Sequence, residues 1–360
     1  MKMKQVLATG AALSMALSMA PVTASAADKV DINVIAAQYG QQTADWWANF
    51  VTEFNEANPD INLNVEVVSW NDIYTVVNTR IANGEAPDVL NIDVFADYQA
   101  DDLLLPIQDV VSEETYSKMY DAFLAQSEVD GTVWAIPDLA SARAMYYNKD
   151  ILDAAGVEVP TTWDEFEEVL QKLSDAGIQP LTTGGSDKWG ATRLINAYAV
   201  RTAGNDIMTK AADGEVPYTD EKLVAAADKI AEWAEKGYFG EGITTVDMNT
   251  AGSMLMSGKA AIFYNGSWFT QNLTDDSQNP AGEDGIGFFN IPVADESISS
   301  ATSYSMNCGN ILALDNDKYD EATGWFLKYF MENIGNVAME DQGTVKGYTY
   351  DVTADDMDGY

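Results

Sequence analysis

The sequence predicts an α/β fold arranged as two lobes, and three observations lead there. Apolar residues switch repeatedly between the alternating period of a strand and the three-to-four period of a helix. The first of these elements follow one another as β-α-β-α-β, the order that builds a mostly parallel sheet with right-handed crossovers. Without its leader the chain is also longer than the roughly 250–300 residues at which one hydrophobic core stops growing.

The leader comes first. Lys2 and Lys4 precede an apolar stretch over residues 6–20, and Ala24-Ser25-Ala26 supplies an A-x-A cleavage signature. Thr9, Gly10, Ser14 and Ser18 interrupt that stretch and Pro21 follows it, so it falls short of the ~20 apolar residues of a membrane span. The expectation is a cleavable signal peptide at 1–26, whose removal leaves 334 of the 360 residues. No cysteine follows the apolar stretch, so no lipid anchor is expected there, and the mature protein is placed in the periplasm or secreted.

Residues 30–37 read as the first strand. Over 45–58, Trp47, Phe50, Val51 and Phe54 share one helical face, and Pro59 lies just past its end. Ile61, Leu63, Val65 and Val67 then alternate with Asn62, Asn64 and Glu66, the pattern of a half-buried strand. A helix over 71–82, ended by Gly84, precedes a strand over 88–92. After loop-rich sequence, residues 131–137 lead into 144–150. Thr162 and Glu165 form a capping box for a helix with an apolar stripe of Trp163, Phe166, Val169, Leu170 and Leu173, and Gly177 takes its C′ position. A helix over 220–236 is expected to turn Leu223, Val224, Ala227, Ile230 and Ala234 inward and to close at Gly237. Short strands are expected at 260–264 and 287–291, and a late helix over 319–333 carries Phe326, Leu327 and Phe330. With no repeat and no Pro- or Ser-rich linker, the lobes are expected to be joined by several strand crossings.

Composition narrows the function. Hydrophobic residues make up 47% and aromatics 11%, enough for sizeable cores in spite of a formal charge of −38. That charge repels nucleic acid and anionic membranes, so neither is expected as a partner. The acids are spread along the whole chain, which reads as a solvated acidic surface. Histidine is absent, which removes Ser-His and Cys-His nucleophiles and imidazole-dependent zinc sites. No P-loop, G-x-S-x-G or H-E-x-x-H occurs. A carboxylate-pair glycosidase stays chemically open, but 57 acidic residues make any one pair uninformative. Cys308 is the lone cysteine, so no intramolecular disulfide forms, and it reads as a small buried hydrophobe.

Four stretches, in this order along the chain, resemble the family 1 extracellular solute-binding proteins, the maltose-binding-protein-like receptors of ABC sugar importers. They are Phe54-Asn55-Glu56-Ala57-Asn58-Pro59-Asp60-Ile61 with Ala86-Pro87-Asp88-Val89; Tyr146-Tyr147-Asn148-Lys149-Asp150-Ile151-Leu152 through Ala155-Gly156 to Pro160-Thr161-Thr162-Trp163-Asp164-Glu165-Phe166; Gly258-Lys259-Ala260-Ala261-Ile262-Phe263 with Asn265-Gly266-Ser267-Trp268; and Ile286-Gly287-Phe288-Phe289-Asn290-Ile291-Pro292-Val293. The resemblance implies a two-lobed periplasmic-binding-protein-like fold of class II type with a ligand cleft between the lobes. It puts 27–137 and 303–343 in lobe 1 and 138–293 in lobe 2, with hinge crossings at the ends of the latter. It implies binding without chemistry, no cofactor and no metal, a small-molecule carbohydrate as ligand, a monomer, and membrane-embedded ABC importer permease subunits as partners. Family members continue past the position matching Gly347 with helices that complete the second lobe. Here residues 344–360 are expected as an acidic tail, the start of a missing lobe 2 segment in a chain that is either a shortened member or truncated at its C-terminus. Asp356, Asp358 and Gly359 match only part of a calcium loop, since Ala354 stands at its first ligand position.

Sugar sites pair aromatic faces with planar polar groups, because a buried hydroxyl without a partner costs ~1–3 kcal/mol. Trp268 is the foremost candidate: it follows the Asn265-Gly266-Ser267 turn after a strand, and by the resemblance its counterpart stacks on the ligand. Gln38 and Tyr39 end the first strand, and Asp93 holds the same place after the strand at 88–92, where open α/β sheets bind ligands. Asp93 reads equally well as a helix N-cap. Ser141 and Arg143 fall near the cleft by family analogy, and Arg143 reads alternatively as a partner of nearby acids. Trp189, after Thr182-Thr183-Gly184-Gly185, and Asn307 and Asn310, around Gly309, complete the set together with Trp70 as a further stacking residue. Trp163, Trp233 and Trp325 lie in helices and are expected in cores. The competing readings are a polyamine or other small cation on the same fold, and a secreted carbohydrate-active enzyme.

Overall fold

The computed structural model describes residues 29–38, 42–92, 98–99, 101–273, 277–342 and 346–352. The signal-peptide expectation at 1–26 and the calcium-loop resemblance at 354–359 lie outside the described residues. Contacts divide the chain into two units, one holding the residues up to Ser141 and those from Asn307 on, the other Ala142–Met306.

In the first unit β1 (Val30–Gln38) leads to α1 (Ala44–Ala57), β2 (Ile61–Ser69), α2 (Ile73–Ala82) and β3 (Val89–Ile92). Strand β1 pairs in parallel with β2 from Val30↔Ile61 to Gln38↔Ser69, and with β3 at Val34↔Val89. Side chains alternate along a strand, so β1 sends Ile32, Val34 and Ala36 into one core and Ile35 and Ala37 into another. Burial on both faces marks a strand inside a helix-covered sheet. The Thr43 hydroxyl caps α1 by accepting from the Trp46 N–H, and Trp47, Phe50 and Phe54 bury its apolar face. Ile73 and Val77 of α2 cover the opposite face.

The chain enters the second unit within β4 (Ile136–Asn148). There follow α3 (Lys149–Ala155), α4 (Trp163–Asp175), β5 (Leu181–Thr182), α5 (Trp189–Ala203), α6 (Glu221–Glu235), α7 (Met248–Met256), β6 (Ile262–Gly266) and β7 (Ile286–Phe289). Strand β4 pairs antiparallel with β6 from Arg143↔Gly266 to Tyr147↔Ile262, and with β7 from Met145↔Phe289 to Asn148↔Ile286. The capping box of α4 forms as expected: the Thr162 hydroxyl accepts from the Glu165 N–H while the Glu165 carboxylate accepts from the Thr162 N–H. These bonds and those from Thr161 hold the Glu165 carboxyl below its ordinary pKa. Gly177 takes a left-handed φ of +74° just past α4.

Helix α6 corrects one expectation. Its buried residues are Leu223, Ala226, Ile230 and Trp233, while Val224, Ala227 and Ala234 face solvent. The cause is Trp233, whose ring stacks on Trp163 at 5.5 Å and meets Phe166 edge-on at 5.6 Å. Burying this largest side chain fixes the rotation of the helix, and the smaller residues follow.

The chain returns to the first unit within β8 (Met306–Asp315), antiparallel to β3, and ends its regular structure in α8 (Glu321–Gln342). This helix runs beyond the expected end at 333, because Ile334, Val337 and Ala338 continue the stripe begun by Phe326, Leu327 and Phe330. Gly335 does not stop it: a Cβ there would overlap the carbonyl oxygen of Thr349, so its glycine lets the following segment lie close. Residues 346–348, expected as the start of a solvated acidic tail, are instead buried in the first unit. The Lys346 ammonium donates to the Asp138 carbonyl oxygen at 2.7 Å and lies 3.6 Å from its carboxylate, and the Tyr348 hydroxyl donates to the Pro137 carbonyl at 2.9 Å. Cys308 is half-buried against the second core of this unit, and burial pushes its thiol up to about 12, which keeps it an unreactive hydrophobe.

Candidate functional site

In the second unit, three expected site residues come together although they lie far apart in sequence. Arg143 sits on β4 opposite Gly266 of β6, and Trp268 follows Gly266 in a turn of 3-10 helix. A Cβ at Gly266 would overlap the Trp268 ring, so this glycine is what allows the indole to fold back over its own strand. The Ser267 hydroxyl accepts from the Ala142 N–H at 3.3 Å, and the Tyr146 hydroxyl donates to the Gly266 carbonyl at 3.2 Å, fixing the turn to β4. The Arg143 guanidinium carbon then lies 4.3 Å from the Trp268 ring centroid and 5.8 Å from that of Trp189. The two indoles meet edge-on at 6.2 Å. Trp189 opens α5, where Lys188 at φ +63° turns the chain into the helix. Both indoles are half-buried, whereas Arg143 is 5% exposed and lies beneath them.

The electrostatics around this group are unusual for so acidic a chain. Burial lowers the Arg143 pKa to about 10; the Tyr264 and Tyr146 phenols raise it and the Arg193 guanidinium lowers it further. Burial pushes Tyr264 up to about 12, against the pull of Arg143, Arg193 and Arg201. Among the described residues Arg201 donates to backbone only, to the carbonyls of Ile291, Ser300 and Ser303 at 2.7–3.0 Å. It thereby ties the loop after β7 to α5. Among the described residues, no group of three or more His, Cys, Asp or Glu side chains is placed to hold a metal ion.

The other expected residues fall elsewhere. Gln38 is exposed at the carboxyl end of β1, and its register partner Ser69 puts Trp70 at the same end of the β1–β2 pair in the first unit. Trp70 is half-buried and meets Tyr74 edge-on at 6.4 Å. Ser141 is buried in β4, two residues before Arg143. Asn307 and Asn310 belong to β8, but their side chains lie outside the described residues, as do Tyr39 and Asp93 entirely. Trp163 and Trp233 are buried in the core of the second unit and Trp325 packs against a core of the first.

Sequence reasoning missed Arg193, Asn196 and Tyr264. Trp189, Arg193 and Asn196 are spaced i, i+4 and i+7, one face of a helix, and that spacing was the available signal. The Oδ1 of Asn196 is buried and has no hydrogen-bond partner among the described residues.

A pair of half-exposed indoles around a guanidinium thus brings ring faces and a charged donor together within the second unit. The chain belongs to the bacterial extracellular solute-binding proteins, whose family profile matches residues 39–337. It is 27% identical over 259 residues to a putative binding protein of Brucella abortus, covering 71% of this chain and 62% of that one. It is 28% identical over 274 residues to a probable sugar-binding periplasmic protein of Rhizobium meliloti, covering 70% and 61%. The chain thus spans about three-fifths of the length of the curated relatives it matches. Among solved structures, a chitin oligosaccharide binding protein superposes with a TM-score of 0.79 at 21% identity, covering 90% of this chain and 82% of that one, which establishes the shared fold. Among the described residues no helix is long and apolar enough to cross a membrane.

Proposed function

We propose that this chain is the receptor of an ABC importer, binding a mono- or oligosaccharide outside the cytoplasm, in the periplasm or as a secreted protein, and passing it unchanged to membrane-embedded permease subunits. The observation that carries this reading is the Trp268–Arg143–Trp189 group, which offers apolar ring surface beside fixed polar donors. The relatives named as sugar-binding and the chitin-oligosaccharide-binding neighbour support the same ligand class. The two units serve as the lobes, and Gln38, Tyr39, Trp70, Asp93, Ser141, Asn307 and Asn310 are further candidate ligand contacts.

The cationic-ligand alternative fits this group poorly. The charge nearest the indoles is the positive guanidinium of Arg143, which repels a cationic ligand but not a neutral sugar. The test is a thermal-shift and calorimetric panel of neutral and charged sugars, polyamines and short peptides. A ligand at ~100 times its Kd adds about 2.7 kcal/mol to stability. Stabilisation by sugars supports the proposal; stabilisation by a polyamine or peptide with none by any sugar overturns it. Sustained product release from a glycoside would transfer the chain to the enzymes.

A further inference from the structure

Just before Trp189 the backbone takes a conformation that its sequence does not favour. Lys188 stands at φ +63°, ψ −43°, and the Trp189 N–H donates to the Asp187 carbonyl at 2.6 Å. A bond spanning two residues around a positive φ is a γ-turn of the rare form, strained for any residue but glycine. Such a turn persists only where its surroundings over-determine it. Three bonds to the start of α7 do so. The Ser186 N–H donates to the Val246 carbonyl at 3.0 Å, and the Gly184 N–H to the Met248 thioether at 3.1 Å. The Asp187 carboxylate accepts from the Met248 N–H at 2.8 Å. Met248 is the first residue of α7, so its N–H has no partner within the helix, and an anion is favoured at that end. Asp247 caps the same end by accepting from the Thr250 N–H, which leaves the Met248 N–H to Asp187.

Packing seals the same junction. A Cβ at Gly184 or at Gly190 would overlap the Met248 side chain, so these glycines let the turn and the start of α5 close onto α7. Met248 belongs to the core cluster against which Trp189 and Trp268 pack. Resting on the carbohydrate reading above, we infer that Asp187 and Met248 are positioning residues of the sugar site: together they hold the strained turn at Lys188 and thereby fix the Trp189 indole beside Trp268 and Arg143. Their effect passes through the backbone of the turn. Trp189 is the next residue after Lys188, and its ring meets Trp268 edge-on at 6.2 Å. A ring held in place before binding loses less freedom when the ligand arrives, so order in the turn becomes affinity.

The experiment labels the full chain with 5-fluorotryptophan and assigns the Trp189 resonance by Trp189→Phe. Fluorine NMR without ligand is then run beside titration calorimetry with the sugar that stabilises the wild type most. Asp187→Ala should shift or broaden the Trp189 resonance and weaken binding about tenfold, the effect of one lost hydrogen bond to a charged group. Asp187→Asn keeps an acceptor oxygen and should stay within about twofold of the wild type. Lys188→Gly added to Asp187→Ala should recover part of the loss, because glycine takes a positive φ without strain. Val169→Ala, in the core cluster that holds neither indole, should lower the melting temperature and leave the Trp189 resonance in place. Should Asp187→Ala fail to fold, Met248→Leu, which keeps the bulk and removes the thioether acceptor, must move the resonance and lower the affinity in its stead. Either readout staying at its wild-type value overturns the inference and leaves the carbohydrate reading intact, as does no recovery with Lys188→Gly. A wild type that binds no sugar overturns both.

Discussion

The guanidinium of Arg143 lies over the indole of Trp268, its Cζ 4.3 Å from the ring centroid. A desolvated cation–π contact of this kind is worth about 2 kcal/mol. Its functional consequence is order: it fixes a buried donor and a half-exposed ring in one geometry before any ligand arrives, which lowers the entropy a ligand must pay for.

Trp268→Ala is therefore expected to weaken sugar binding tenfold or more, about 1.4 kcal/mol, while the chain still unfolds cooperatively. Trp268 is only half-buried at the margin of its core cluster, so the melting temperature should fall by a few degrees at most. Calorimetry and a melting curve on the same sample check both parts. Loss of the fold would show that the indole is a core residue.

Gly266→Ala should act through the same ring without touching its chemistry. The added methyl overlaps Trp268, and because the obstacle is an indole pinned by Arg143 and Trp189, relief requires the turn to move. Overpacking of this sort costs about 1–3 kcal/mol. The expected outcome is weakened binding together with a red-shifted tryptophan emission; unchanged emission and affinity would contradict the close approach.

Much of this architecture was legible in the sequence. The Thr162–Glu165 capping box, the stripe of α4 and the parallel β1–β2 pair all follow from local spacing, because caps and periodicity act within a turn or a pleat. The rotation of α6 was not, because it depends on Trp233 finding Trp163 from a distant helix. The same holds at the site. Trp268 could be picked from its turn, but its meeting with Arg143 depends on β4–β6 pairing, and that of Arg143 with Trp189 on where α5 begins. The burial of residues 346–348 was not legible either, because acidic composition says nothing of a Lys346 that donates to β4.

That buried pair gives a stability prediction. Lys346→Met should cost about 3–5 kcal/mol by leaving the Asp138 carboxylate buried beside an apolar group, and Lys346→Met with Asp138→Asn should recover most of it. Burial, only partly offset by Asp138, lowers the Lys346 pKa from 10.5 to about 8. Between those values the unfolded chain keeps a proton that the native state has lost, so stability from this group rises with pH across the window. Denaturant midpoints of the wild type should thus gain on those of the double variant between about pH 8 and about pH 10.5. Buried tyrosines such as Tyr264 pull the other way above pH 10 and cancel in the comparison. A gap that shrinks with rising pH would contradict the assignment.

Arg201→Met should destabilise the second unit by about 3–5 kcal/mol, since each carbonyl left without its charged donor costs ~1–3 kcal/mol. Arg201→Lys should recover only part, because an ammonium cannot reach three carbonyls from one fork. Hydrogen exchange at residues around 291–303 reads the loosening directly. Full protection there in Arg201→Met would show that other contacts hold the loop.

The central claim is that this chain binds sugar through the Trp268–Arg143–Trp189 group. Titration calorimetry with the sugar that stabilises the chain most, run side by side on wild type and Trp268→Ala, tests it most directly. The expected result is a saturable one-to-one isotherm that weakens at least tenfold in the variant. Wild-type affinity in Trp268→Ala, or saturation by a polyamine where no sugar binds, would contradict it.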